Sequence, residues 1–363
     1  MSAHGGESEL LHEVFLDPRS PYSDDERTRF TLQIHSMLPE QVKIGHYVME
    51  SLEPVVEEVV GRAEYLRRIQ EACAQYGETY TVRFYDHLDG FDASVLDALD
   101  EIRTLVIDPV SPMQNPEAVG RLPKLTHFRF SPRGKNRADI LGLFRMERLE
   151  TFTLGETSTP LLDLSPLREA QKLRSLRLLA QGKNLEAIGD CAALTELSIH
   201  PTDKVPLDFI NRLQQLEVLK FSLGRTASIA EIGPLPKLRD LSFDNVAMLE
   251  DLGDLQRFPR LRRLQINYQR RLKTLRVGRG NAALEHINVS GIDQVEGFSE
   301  LPALRSFNNF NGKFAPDWSE LPPTLTHFAL VAPSLRAREK HYADVRAHGL
   351  EPELHPEATF FYK

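Results

Sequence analysis

One apolar pattern recurs along most of this chain and leaves few folds open to it. Apolar-x-x-apolar-x-apolar returns every 20 to 24 residues, first as Ile102-Leu105-Ile107, Leu125-Phe128-Phe130, Leu149-Phe152-Leu154, Leu173-Leu176-Leu178 and Leu194-Leu197-Ile199. It continues as Leu216-Leu219-Phe221, Leu238-Leu241-Phe243, Leu261-Leu264-Ile266, Leu284-Ile287-Val289, Leu304-Phe307 and Leu325-Phe328-Leu330, which makes eleven units. A fixed period of this length signals stacked coils, each too small to bury its apolar face alone. The last three positions alternate apolar, variable, apolar, the period of a strand with one buried face. The second half of each unit keeps apolar residues at helical spacing, such as Leu161, Leu164 and Leu167, or Leu207, Ile210 and Leu213. Short helices or 3-10 turns are expected there, with Pro and Gly at the joins.

The L-x-x-L-x-L core resembles the leucine-rich repeat superfamily, in an irregular bacterial-type form, over roughly two thirds of the chain. The resemblance implies an α/β solenoid: a leucine-rich repeat horseshoe or arc with a parallel β-sheet on its concave face. An N-terminal helical cap and a C-terminal helix/strand cap would close its ends. The expected segments are an acidic helical region over 1–78, the solenoid over 79–333 in about eleven or twelve coils, and the C-terminal cap over 334–363. The family usually places Asn or Cys three residues after the last core leucine, where the side chain bonds the turning backbone. Here the equivalent positions hold Thr157, Gln181, Thr202, Gly224, Val246 and Gln269, so irregular turns are expected.

The ends of the repeat carry their own signals. Ser23 followed by Asp24, Asp25 and Glu26 predicts a capped helix running to about Met37, ended by Pro39. A second helix is expected from Glu40 to Ser51 and a third from Pro54 to Gln75, with Gly77 as its C-cap. Thr79 to Tyr85 reads as a strand, and Val82 and Phe84 stand 23 residues before Leu105 and Ile107, as in a degenerate first coil. The acids Asp86, Asp89, Asp92 and Asp97 miss the EF-hand spacing and suit a solvated loop leading into a short capped helix. Ser334 to Ala347 predicts a helix ended by Gly349, and Glu357 to Lys363 a last strand.

Charge and cysteine use narrow the setting. Residues 1–78 hold 15 acidic against 7 basic residues, which accounts for the whole formal charge of -8. No basic stripe marks a nucleic-acid partner. No apolar run is long enough to span a membrane. MSAHGGESEL has neither a basic nor an apolar leader region, and the two distant cysteines, Cys73 and Cys191, cannot clip a cap. A cytoplasmic, bacterial protein is expected.

Catalytic signatures are missing. No phosphate-binding glycine loop, H-E-x-x-H, G-x-S-x-G or C-x-x-C occurs in the sequence. No metal or cofactor is therefore expected, and Cys73 and Cys191 read as small core residues. His286 and His327 can approach across coils but lack a third ligand. What remains is a surface. In the family the non-core strand positions face the concave side, and from Arg263 onward these become rich in Arg, amide and aromatic groups. Arg263, Gln265, Asn267, Tyr268, His286, Asn288, Phe310 and His327 are expected on one partner-binding patch, with Arg129, Arg177 and Lys220 on the N-terminal half of the same face. Arg263 and Tyr268 are expected to be replaceable together without loss of stability.

These features point to a non-catalytic protein that binds a folded protein partner through its concave face and rims. A neutralising immunity protein for a bacterial toxin is one form of it. A regulatory scaffold, adaptor or delivered effector that binds a signalling protein is the alternative. An enzyme hidden in the N-terminal helical region, around His35, His46 and Glu50, is a third.

Overall fold

The structure, a computed structural model, describes residues 30–37, 41–47, 54–85, 91–108, 112–131, 136–156, 162–179, 182–331, 335–353 and 355. The chain divides into two compact units, residues 1–160 and 161–363.

In the first unit, β4 (Tyr80–Tyr85), β5 (Thr104–Asp108), β6 (His127–Phe130) and β7 (Thr151–Leu154) run parallel, one strand per coil. Val82 pairs with Leu105 and Phe84 with Ile107, the register that the 23-residue offset predicts. Their apolar side chains meet beneath the sheet: Val82, Phe84, Leu105, Ile107 and Phe130 are 0% exposed. Burial of such a side chain contributes about 1.5–3 kcal/mol, and a coil supplies several. Asp92 caps the 3-10 helix Ala93–Ala98 by accepting from Ser94 N–H at 2.9 Å, as expected for the acidic loop's end. Asp86 and Asp89 lie outside the described residues.

The N-terminal region departs from the helical cap. β1 (Phe30–Met37), β2 (Gln41–Tyr47) and β3 (Pro54–Gly61) replace the first two predicted helices and the start of the third. β1 pairs antiparallel with β2 and β2 with β3, while β1 lies parallel to β4 and extends the sheet beyond the first coil. The physical reason is visible in the sequence: Phe30, Leu32 and Ile34, and then Val42 and Ile44, alternate with period two, and β3 is rich in valine. The helix α1 (Arg62–Tyr76) begins only after Gly61, and Gly77 follows it at φ +59°, the left-handed geometry of a C-cap. A short α2 (Glu117–Arg121) crosses the back of a later coil.

The second unit repeats one coil eight times. Its strands are β8 (Ser175–Leu178), β9 (Glu196–Ile199), β10 (Val218–Ser222), β11 (Asp240–Asp244), β12 (Arg263–Asn267), β13 (His286–Ser290), β14 (Ser306–Phe310) and β15 (His327–Val331). All neighbours are parallel and in register from Glu196 through Val218, Asp240, Arg263, His286 and Ser306 to His327. The inner columns are apolar, and Phe221 stacks on Phe243 at 5.2 Å while Phe307 stacks on Phe328 at 5.5 Å. The backs of the coils hold 3-10 helices such as Ser165–Glu169, Leu185–Asp190 and Asp208–Arg212, whose tight rise suits a coil of this length.

Asn309 stands in an inner column where other coils place Ile, Val, Leu or Phe. It is 1% exposed, accepts from Ile292 N–H at 3.2 Å and donates to Ile292 C=O at 2.7 Å. Asn281, 0% exposed, donates to Leu255 C=O in the same manner. Two asparagines thus stitch individual turns where the family's regular ladder is missing.

The last coil is followed by α3 (Leu335–Ala347), which Gly349 ends at φ +76°. His341 Nε2 accepts the Leu330 N–H at 3.1 Å and fastens α3 to β15. The chain then returns beside β15: Phe328 N–H donates to Glu351 C=O at 2.9 Å and Glu351 N–H to Thr326 C=O at 2.8 Å. The expected strand at 357–363 lies outside the described residues.

Candidate functional site

The pleat that buries one face of β8–β15 turns the alternate side chains outward, in two columns. Arg263, His286, Ser306 and His327 share one with Asp240; Lys220, Ser242, Gln265, Asn288, Asn308 and Ala329 share the other. All the residues expected on this face from Arg177 to His327 are in the second unit. Arg129 belongs to the first, where it is exposed and lies 3.7 Å from the buried Asp108 carboxylate, itself held by Arg83 at 2.7 Å.

The columns are not open throughout. Gln265 is 3% exposed, His286 2% and Asn288 6%, so three of the residues expected to meet a partner are covered within the chain. The His355 ring lies 4.8 Å from His286 and 4.7 Å from His327. Arg263 is half-buried and engaged, donating from Nε and Nη2 to the two oxygens of Asp240 at 2.6 and 2.8 Å. Arg177 is exposed, and Lys220 is half-buried, its ammonium pushed below the usual lysine range by burial first and by Arg177 second. The histidine pair expected to approach across coils is joined through His355, and no group of three or more His, Cys, Asp or Glu placed to hold a metal ion occurs among the described residues. Cys73 and Cys191 are buried, and burial raises both thiols to about 12.

The edge where the strands end is open as well. Leu223, Asn245, Tyr268, Gly291 and Asn311 each follow the last residue of β10 to β14, and all five have φ between +50° and +75°. The turns here are therefore regular, against the expectation from the missing Asn ladder. In three of them the backbone N–H finds its partner one coil further on: Leu223 N–H donates to Asp244 C=O at 2.7 Å, Asn245 N–H to Asn267 C=O at 3.1 Å and Gly291 N–H to Phe310 C=O at 2.7 Å. At Tyr268 the Ser290 Oγ takes that place at 3.0 Å. Glycine and asparagine tolerate this left-handed backbone; leucine and tyrosine do so at a cost. Among the described residues those two are also the large apolar side chains left exposed, Leu223 at 49% and Tyr268 at 73%.

Tyr268 stands at a recess of about 740 Å³ whose lining includes Asn245, Asn267, Gln269, Asn288, Phe310 and Asn311. Four of the residues expected from the sequence meet here: Asn267, Tyr268, Asn288 and Phe310. Asn245, Gln269 and Asn311 were missed, because they lie in the turns rather than on the strands. Their shared signal was a column of turn residues read down the coils. The recess is amide-rich, with Arg270 as its charged member, so it can exchange hydrogen bonds with neutral polar groups while an aromatic ring packs beside them.

No family model matches the chain, and no curated protein matches it. Solved structures do resemble it. An internalin from Listeria monocytogenes str. 4b F2365 is 16% identical, with 76% of this chain and 84% of that chain covered and a TM-score of 0.46. The leucine-rich repeat domain of the type III effector XCV3220 (XopL) is 17% identical over 76% of this chain and 83% of that one, at a TM-score of 0.35. A TLR13–ssRNA13 complex is 12% identical over 72% and 52%, at 0.37. The chain's own repeat carries the fold: within each unit the repeated L-x-x-L-x-L segments become parallel strands, in register from Thr104 to Thr151 in the first and from Ser175 to His327 in the second. Its fold is a leucine-rich repeat solenoid.

Proposed function

We propose that this protein is a non-catalytic binding module that recognises a folded protein partner through the strand-end edge of its sheet, with Tyr268 as the anchor. The observation that carries the reading is the state of Tyr268: 73% exposed, at φ +55°, beside an amide-lined recess. A bulky residue held in left-handed backbone costs on the order of 1 kcal/mol or more, and such strain gathers at functional positions. Tyrosine is also a preferred interface anchor, because it buries a large rigid ring and keeps a hydroxyl for hydrogen bonding. Leu223, two coils away on the same edge, extends the contact. A pre-formed stack of coils loses little entropy on docking, so modest contacts along the edge can add up.

In its finer form the partner is a toxin or other enzyme that this chain neutralises. The lack of catalytic motifs and the acidic stretch over 1–78, complementary to a basic partner, support that form. His35 and His46, around which the hidden-enzyme alternative was drawn, fall on β1 and β2 rather than on helices.

The test is capture with the tagged full chain beside a Tyr268→Ala, Leu223→Ala variant. A protein retained in equal amount by the native chain and lost by the variant supports the edge. Equal retention by both moves recognition elsewhere. If the captured protein is an enzyme, its activity in the complex separates a neutraliser from an adaptor.

A further inference from the structure

The recess beside Tyr268 carries a charge that nothing in its lining balances. That lining includes five carboxamides and the guanidinium of Arg270, and no Asp or Glu. Arg270 stands two residues after Tyr268, is exposed, and makes no hydrogen bond or ion pair among the described residues. Its neighbours along the chain are engaged. Arg271 reaches Glu250 at 2.6 Å, Arg276 reaches Asp251 at 2.9 Å, and Lys273 Nζ donates to Gly291 C=O at 3.0 Å. A free guanidinium on a flat surface is merely solvated. In a recess it loses water when something docks, and only an anion placed against it offsets that loss.

The other groups define what brings the anion. A carboxamide presents an N–H donor and a C=O acceptor, the same pair that a peptide unit presents. Asn245, Asn267 and Asn311 can therefore hydrogen-bond a main chain laid beside them, and Asn245 and Asn311 are exposed. The Tyr268 ring and the half-buried Phe310 offer apolar contact next to these amides. At about 740 Å³ the recess falls within the range of roughly 300–1,000 Å³ that takes a small ligand or a short segment of chain. One guanidinium matches one carboxylate. A phosphate, with a charge of about -2, would be left partly unbalanced.

We propose that the recess is a site for an acidic peptide segment, with Arg270 pairing the carboxylate of an Asp or Glu side chain and the carboxamides holding the main chain beside it. This rests on the reading of the Tyr268 edge as the protein-binding surface and gives that edge its charge specificity. Tyr268 supplies contact area, and Arg270 selects a partner segment that carries an acid.

The test is a selection of random heptapeptides, displayed on phage, against the immobilised full chain. The most enriched sequence is then synthesised with acetylated and amidated ends, so that only its side chains bring charge. The site predicts an Asp or Glu in that sequence. Arg270→Gln should weaken its binding about tenfold or more, as should replacing the acid by its amide, and the two changes together should cost little more than either alone. Arg270→Gln removes no hydrogen bond or ion pair among the described residues, so its thermal midpoint should match that of the native chain. A neutral peptide, or full binding by Arg270→Gln, overturns the proposal. If Tyr268→Ala then abolishes the same binding, the edge reading stands and only the acid is wrong; if neither change matters, both fall. Enrichment of no peptide overturns it as well, and glucuronate binding that depends on Arg270 then assigns the recess to an acidic saccharide.

Discussion

Arg263 reaches across from β12 to grip Asp240 on β11 with two parallel hydrogen bonds, at 2.6 and 2.8 Å, and Asp240 is only 3% exposed. A carboxylate so deep is tolerated because a guanidinium fork faces it. The expectation that Arg263 could be exchanged without loss of stability fails on this contact. Arg263→Glu leaves Asp240 unpaired and adds a like charge, and is expected to cost about 3 kcal/mol or more. The urea midpoint should fall accordingly, and Asp240→Asn in the same chain should restore part of the loss.

Tyr268→Asn tests strain against function at one position. Asparagine accepts left-handed backbone, as Asn245 and Asn311 do at the same turn, so stability should hold or rise by up to about 1 kcal/mol. Partner capture should fall in the same variant. A stability loss above about 1 kcal/mol would show that the ring packs for folding.

Asn309→Leu restores the apolar residue that other coils carry in this inner column. It also strips Ile292 of the partner for its N–H, while the Ile292 C=O keeps the N–H groups of Lys313 and Phe314 at 3.1 and 3.2 Å. One buried N–H left unmade should cost about 1–3 kcal/mol and cancel what the added apolar burial returns, so no net stabilisation is expected. A clear gain in unfolding midpoint would mean that the N–H finds another partner.

The C-terminal cap should loosen in mild acid. His341 accepts the Leu330 N–H at Nε2, which requires the neutral ring, and burial pushes its pKa below the usual histidine range. His327 is lowered too, by burial first and by His355 second, against the opposing pull of Glu351 and Glu353. The unfolded chain therefore binds protons that the folded cap refuses. Stability is full above the ordinary histidine pKa of about 6.5 and is lost as pH falls from there through the lowered folded values. Hydrogen-exchange protection of α3 amides, corrected for the slower intrinsic exchange in acid, should fall between pH 7 and pH 5. His341→Gln, whose amide oxygen can accept the same N–H, should flatten that response.

The coils were legible because burial leaves no choice. Leu219, Leu241 and Leu264 must sit at one phase of the repeat for the strands to share a core, and Val82 and Phe84 announce an extra coil in the same way. The N-terminal strands were masked by a competing local signal. Ser23 and its acids resemble a helix cap, and Val55, Val56, Val59 and Val60 fit a helical face as well as a strand. The period-two alternation of Phe30, Leu32 and Ile34 was the better guide. For the site, the repeat says which side chains leave the core, and it brought Asn267, Tyr268, Asn288 and Phe310 to one recess. It says nothing of what lies over them. Gln265, His286 and Asn288 are buried, and the contact of His286 with His355, far along the chain, is one that no local pattern encodes.

The return of the chain at Glu351 has a consequence beyond local hydrogen bonding. A parallel sheet built from equivalent coils is a template for its own extension, since its last strand offers the same row of donors and acceptors that every earlier strand has used. At β15 the N–H of Phe328 and the C=O of Thr326 are already taken by Glu351, and Pro352 follows at once with no N–H to give. Such a terminus discourages end-to-end fibre growth between molecules, the hazard that any exposed sheet edge carries.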